Sequence, residues 1–265
     1  MAEPKELVEK LEQGAQLPSG NEERVVGYGV MGVPFASGHL LAMRRFPASS
    51  LGEGYTSVWH RDPQGKWIFY VDVSPQLACP RYFGSAVAEA VVRGIEIAWR
   101  GPRDFTVSIE DDPALNWRLS LAATPVTRLM NAMGSILPEA LWRQQAVLKL
   151  MGKAASLVLR AGRLGLAGQV PNRQRFMANP MRIWKIQSST ARIGDQDLGE
   201  VSPLPVQTRL GDFWLPQRGI FTIGRAFFEA LDPARHALLT TATSSRQAYR
   251  EDSSQPMLVS TGPAT

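Results

Sequence analysis

Two textures alternate along the chain. From Val25 to about Thr124, apolar and polar residues change places every second position and are interrupted by turn residues; that is the period of half-buried strands. KWIFYVDV (66–73) sets Trp67, Phe69, Val71 and Val73 on one face and Ile68, Tyr70 and Asp72 on the other. YTSVWHR (55–61) precedes it, and the intervening DPQG has the Pro–polar–Gly chemistry of a tight turn, so the two segments predict a hairpin. SGHLLAMRRF (37–46) reads as a further strand. DFTVSIED (104–111) groups Phe105, Val107 and Ile109, and NWRLSLAAT (116–124) groups Trp117, Leu119 and Leu121. AVAEAVVRGIEIAWRG (86–101) fits a helix in its first half and a strand in its second.

From Pro125 to about Leu166 the β-branched residues thin out and Leu, Met, Ala and Arg take over. Pro138 divides this stretch into two predicted helices. In the second, Val147, Met151, Ala154, Ala155 and Val158 share one face, and Lys149, Lys153, Arg160 and Arg163 the other. Gly162, Gly165 and Gly168 then end the helix. Strand texture returns over MRIWKIQSSTARIG (181–194) and PVQTRLGDFWLPQRGIFTIG (205–224), and residues 225–239 read as a closing helix. Ahead of the strands, residues 3–13 form a short amphipathic helix on Leu7 and Leu11.

The predicted organisation is an N-terminal helix or arm (1–24), one β-rich domain (25–243) with a helical insertion at 125–166, and a disordered tail (244–265) rich in Ser, Gln, Pro and Gly. The fold class is mainly β with a helical insertion (α+β), as an antiparallel barrel or two half-barrels.

Composition narrows the setting. The 265 residues are 44% hydrophobic, enough for a sizeable core. No apolar run approaches the roughly 18 residues that span a bilayer. The single cysteine, Cys79, leaves no intramolecular disulfide, and MAEPKELVEKLEQ is too charged for a secretory signal. These features point to a cytoplasmic protein. Charge is the uneven feature: residues 125–182 carry nine basic side chains against the single acid Glu139, a charge of +8 against +5 for the whole chain, so the remainder is −3.

Few motifs carry chemistry. GYGVMG (27–32) matches Gly-x-Gly-x-x-Gly, but VPFASG follows where a dinucleotide fold needs a helix; a Gly-rich strand or bulge is the simpler reading. No cofactor is predicted. Three histidines and one cysteine, without His-x-His or HExxH spacing, give no metal site. There is no nucleophile elbow and no P-loop, and Cys79 reads as a small buried side chain. VWHRDPQGKW (58–67) is the densest polar–aromatic cluster: His60 and Asp62 share a strand face, so the carboxylate could orient the imidazole for proton transfer. A solvated turn explains the same residues. His39 shares a face with Leu41 and Met43, and pairing of the two strands would bring the imidazoles together. EDD (110–112) and Asp212 are further acids. Seven tryptophans recur along the strands and the helical segment, and such residues line a ligand cavity or fill a core.

The Trp-bearing strands VWHRDPQGKWIFY and MRIWKIQSSTARIGDQDLG, on either side of a helical insertion, resemble the lipocalin-like (calycin) arrangement of bacterial proteins that include carotenoid 1,2-hydratases. GHLLAMRRFPASSLGEGYTSVWHRDPQGKW through CPRYFG is also similar to uncharacterised actinobacterial proteins. The first resemblance implies an apolar cavity and acid-assisted addition of water to an alkene; no hydratase motif is matched residue by residue. On that reading the chain binds a hydrophobic small molecule such as an isoprenoid, polyketide or fatty-acid-like compound. Catalysis would be cofactor-independent hydration, dehydration, isomerisation or cyclisation. His60 or His39 would transfer the proton and Asp62 or Asp112 would orient or assist. Trp59, Tyr70 and Trp117 would shape the cavity, with Met43, Trp184 and Trp214 contributing. A non-catalytic carrier is the alternative. The basic helical segment is a lid or a contact for an anionic membrane surface; nucleic acid is not expected, because aromatic residues are not interleaved with the cations. Homo-oligomerisation stays open.

Overall fold

The computed structural model describes residues 2–238. Helix α1 (Pro4–Gly14) leads into β1 (Glu23–Pro34), β2 (Leu40–Ser49), β3 (Gly52–Arg61) and β4 (Trp67–Val71). The short helix α2 (Pro80–Phe83) follows, then β5 (Glu89–Val92), β6 (Glu96–Trp99), β7 (Asp104–Ile109) and β8 (Leu115–Ala122). The helical segment holds α3 (Pro125–Ile136), α4 (Glu139–Trp142) and α5 (Gln145–Leu159). The chain continues through β9 (Ala167–Gln169), β10 (Arg175–Ile193), β11 (Gln196–Asp197), β12 (Arg209–Leu210), β13 (Phe213–Trp214) and β14 (Ile220–Phe228).

The main sheet runs β5-β4-β3-β2-β1-β14-β10-β8-β7-β6, with β9 and β11 also paired to β10. Every pairing is antiparallel except β4–β5. Leu41, Val58 and Tyr70 from one end of this order share a core with Phe105, Trp117 and Leu119 from the other. One face of the sheet therefore curls onto itself as a half-barrel, and the fold is mainly β with helices added. Alternation along each strand decides what enters this inner core. The three predicted residues of β7 and the three of β8 all lie there, as do Ile68 and Tyr70, whereas Trp67, Phe69 and Val71 face the outer layer. Leu7, Val8 and Leu11 of α1 close onto the same inner core.

The DPQG turn is formed as its chemistry predicts: the Asp62 N–H donates to the Lys66 carbonyl, the Gly65 N–H donates to the Asp62 carbonyl, and Gly65 has φ +92°. GYGVMG lies within β1, not before a helix. A Cβ on Gly27 would sit 2.0 Å from the Arg45 carbonyl oxygen, so only glycine permits that approach beside the bulge between Val26 and Tyr28.

Four expectations change. Residues 86–101 form two strands, not a helix and a strand, because β5 adds in parallel to β4 while β6 pairs with β7. The helical segment has three helices, α4 being a short turn after Pro138. The buried side of α5 is Leu148, Gly152 and Ala155, while Ala154 and Val158 are exposed; the C-cap is Arg160 in the left-handed region, ahead of the predicted glycines. The closing helix over 225–239 is absent from the described residues: β14 pairs with β1 and β10 on both sides as far as Phe228, and those ladders override local helix propensity. The predicted tail lies outside the described residues.

Candidate functional site

Small residues open a cavity on the outer layer. Gly27, Ala178, Gly224 and Ala226 come from adjoining strands β1, β10 and β14, and present little or no side chain to it. Gly224 is required by the backbone, because a Cβ there would lie 2.1 Å from the Asn179 carbonyl oxygen. Ala155 and Leu159 of α5, the segment Leu164–Leu166, and Phe213 and Trp214 of β13 roof the space. Trp59 and Phe83 wall the far side, with Trp59 stacked on Phe69 at 4.5 Å between ring centroids. The cavity volume is about 130 Å³, comparable with the roughly 150 Å³ apolar cavity that accepts a benzene ring.

A buried charge enters this apolar setting. Arg44, on β2, shares the outward face with Leu40 and Ala42 and is only 4% exposed. Its Nη1 donates to the Val30 carbonyl and, at 2.8 Å, to the Met43 carbonyl; Nη2 donates to the Met31 carbonyl at 3.2 Å. The guanidinium lies over the Trp59 ring at 4.7 Å and the Phe213 ring at 5.7 Å. Burial pulls its pKa down to about 10, still above neutral pH, so it remains charged. Among the described residues no carboxylate pairs with it. Three of the five guanidinium N–H groups reach carbonyls, leaving Nε–H and one hydrogen of Nη2 unused. Asn179, 2% exposed, also lines the cavity, and its Oδ1 is buried without a partner.

The other titratable lining residues are Tyr28, Tyr55, Cys79 and Arg225. Tyr55 Oη and Cys79 Sγ are 3.6 Å apart, and burial raises both their pKa values, which keeps the thiol and the phenol neutral. Arg225 pairs with Glu139 of α4 at 2.9 Å.

The residues singled out from sequence divide between the two faces. Trp59 and Trp214 line the cavity. Met43, Tyr70, Trp117 and Trp184 lie in the inner core, where Trp117 Nε1 donates to Ser189 at 2.8 Å. β2 and β3 do bring His39 and His60 together: His39 Nδ1 and His60 Nε2 are 2.8 Å apart and the rings are stacked. Both are buried, and neither lines the cavity. Burial lowers both pKa values, that of His60 to about 4, with repulsion from His39 adding to the shift and Asp62 opposing it. Asp62 Oδ1 accepts the Lys66 N–H in its own turn, and His60 Nδ1 is buried without a partner. Asp112 is exposed on the β7–β8 turn. Asp212 Oδ2 accepts the Gln169 N–H. Arg44 and Asn179 were not singled out. The available signal was period two: in LLAMRR, Arg44 falls on the face of Leu40 and Ala42, an apolar face for a charge to share.

Neither a protein-family model nor a curated protein sequence matches the chain. Two solved structures show a loose likeness. An acetoacetate decarboxylase from Legionella pneumophila is 8% identical, with a TM-score of 0.38 over 84% of this chain and 89% of that one. A second acetoacetate decarboxylase is 10% identical, with a TM-score of 0.40 over 84% and 90%. Identity this low and superposition this loose say nothing about activity, and neither structure extends the carotenoid-hydratase resemblance.

Proposed function

We propose that the chain binds a small amphiphilic carboxylate, with its apolar chain or ring in the cavity and its carboxylate on Arg44. The observation that carries this reading is a buried, charged guanidinium facing an apolar cavity without an acidic partner. An uncompensated buried charge is strongly unfavourable. Arg45, Arg81 and Arg103, by contrast, are matched by Glu12, Glu23 and Glu3. Two free N–H donors suit a planar anion, and Asn179 offers a further contact to a hydroxyl or amide on the ligand. The reading narrows the expected hydrophobic ligand to one bearing an acid. It favours a binding protein over proton-transfer catalysis, because the paired histidines lie on the other face of the sheet.

Titration calorimetry with short aliphatic and aromatic carboxylates, each beside its neutral primary amide, tests it. Carboxylates are expected to bind at least about 30-fold more tightly than their amides, since loss of one partner from a buried charged pair costs at least about 2 kcal/mol. Equal affinity for acid and amide overturns the reading.

A further inference from the structure

Helix α5 is apolar over most of its circumference, apart from the sector that carries Lys149 and Lys153. Leu148, Gly152 and Ala155 are buried, Met151 packs beside Trp142, and Leu159 packs on Ile183 and Ile220. Leu150 and Leu157, seven residues apart and therefore on one side, point away from that core and are 69% and 80% exposed. Helix α3 repeats the arrangement. Thr127 and Asn131 are buried, while Leu129, Met133 and Ile136, at i, i+4 and i+7, are 64%, 60% and 81% exposed. The helices cover the same part of the sheet, because Met130 and Leu159 meet on Ile183 and Ile220. The apolar sector of each helix thus extends beyond its buried side, and an exposed apolar patch with a polar rim marks an interface.

The rim is cationic. Lys149 and Lys153 form one stripe beside the Leu150–Leu157 side, and Arg160 follows at the C-cap. None of them, nor Arg163, has an acid within ion-pair distance among the described residues; nearby Glu139 and Glu22 are held by Arg225 and Arg143. The charge selects the occupant. A two-fold dimer through this face would bring the unpaired Lys149 and Lys153 toward their own copies. Acidic headgroups would neutralise the cations while the leucines enter the boundary with the acyl chains.

We propose that the outer side of α3 and α5 docks on an anionic lipid bilayer. No described helix is long and apolar enough to cross one, so the contact is parallel to the surface. Ala155 and Leu159 of α5 also line the cavity, so the docked helix separates bilayer from cavity. That consequence rests on the cavity reading; the docking does not, and calorimetry of ligands and flotation with vesicles test them separately.

The experiment is vesicle flotation with the full chain, comparing phosphatidylcholine alone with phosphatidylcholine containing about one-third phosphatidylglycerol. Binding to the anionic vesicles only is expected. Lys149→Glu with Lys153→Glu should weaken it by about 30-fold or more, and Leu150→Ser with Leu157→Ser by about tenfold or more. All four side chains are exposed, so both variants should melt like the parent by circular dichroism. Absence of flotation, flotation indifferent to phosphatidylglycerol, or unchanged binding by both variants overturns the proposal. So does a scattering mass of twice 29.1 kDa that the leucine variant returns to one copy, which assigns the face to self-association.

Discussion

Arg44 and Arg45 are consecutive on β2 and point to opposite faces of one sheet. Arg45 meets Glu12 of α1 at 2.9 Å, with both side chains partly exposed. Arg44 is buried among Trp59, Phe213 and backbone carbonyls, with no acidic partner among the described residues. The inner face is the filled one: alternating apolar residues occupy it and a helix closes it. The outer face keeps alanines beside glycines that close backbone approach demands, and a buried charge with no acid among the described residues. Features that lower stability without a compensating contact are what a ligand site leaves in an unliganded protein.

The largest expected stability difference between the faces comes from bulk. Trp117→Ala removes a fully buried ring from the inner core and should destabilise by about 3–5 kcal/mol in urea unfolding. Leu164→Ala, at the half-buried cavity wall, should cost less than about 2 kcal/mol. Equal losses would erase the distinction between a filled face and an open one.

The next effect is pH-dependent and belongs to the inner face. His60 has a folded pKa of about 4, below the roughly 6.5 of an unfolded chain. Its contribution to stability is complete above about pH 6.5 and is lost as pH falls toward 4, with a total on the order of 3 kcal/mol. Denaturation series at pH 7.5, 6 and 4.5 should show this loss in the parent and a shallower one in His60→Phe. A parallel decline in both would show that carboxylates elsewhere carry the acid sensitivity. Carboxylate binding to His60→Phe at pH 7.5 should match the parent, because the imidazole lies off the cavity.

A smaller effect is expected at Arg45. Arg45→Met removes a partly exposed ion pair and should cost about 1 kcal/mol or less, with ligand affinity unchanged.

Much of the half-barrel was legible in the sequence. The inner face carries its residues at period two on β4, β7 and β8, and DPQG encodes its own turn, so local pattern and tertiary need agree there. β10 was read only from residue 181, because Pro180 interrupts the texture; the proline sits where a bulge shifts the register between Pro180 and Arg182, and such irregularities tolerate it. The 225–239 segment misleads because its helix-forming residues are claimed by ladders to strands distant in sequence. Pairing of the strands that carry His39 and His60 was foreseeable; their burial away from this cavity was not, since which face is filled depends on what packs over it. For the same reason Trp59 and Trp214 could not be separated beforehand from Trp117 and Trp184. The cavity itself is made by α5 and β13 lying over small residues of three strands, and no local pattern encodes that contact.

The central claim is that Arg44 is retained for an anionic ligand and not for the fold. Arg44→Met tests it in one protein with two readouts, the urea midpoint without ligand and the calorimetric affinity for the tightest carboxylate found. Replacing an unmatched buried charge by an apolar side chain of similar length should leave the midpoint unchanged or raise it, while affinity falls by about 30-fold or more. A protein that loses several kcal/mol of stability, or one that binds the carboxylate as tightly as before, would contradict the account.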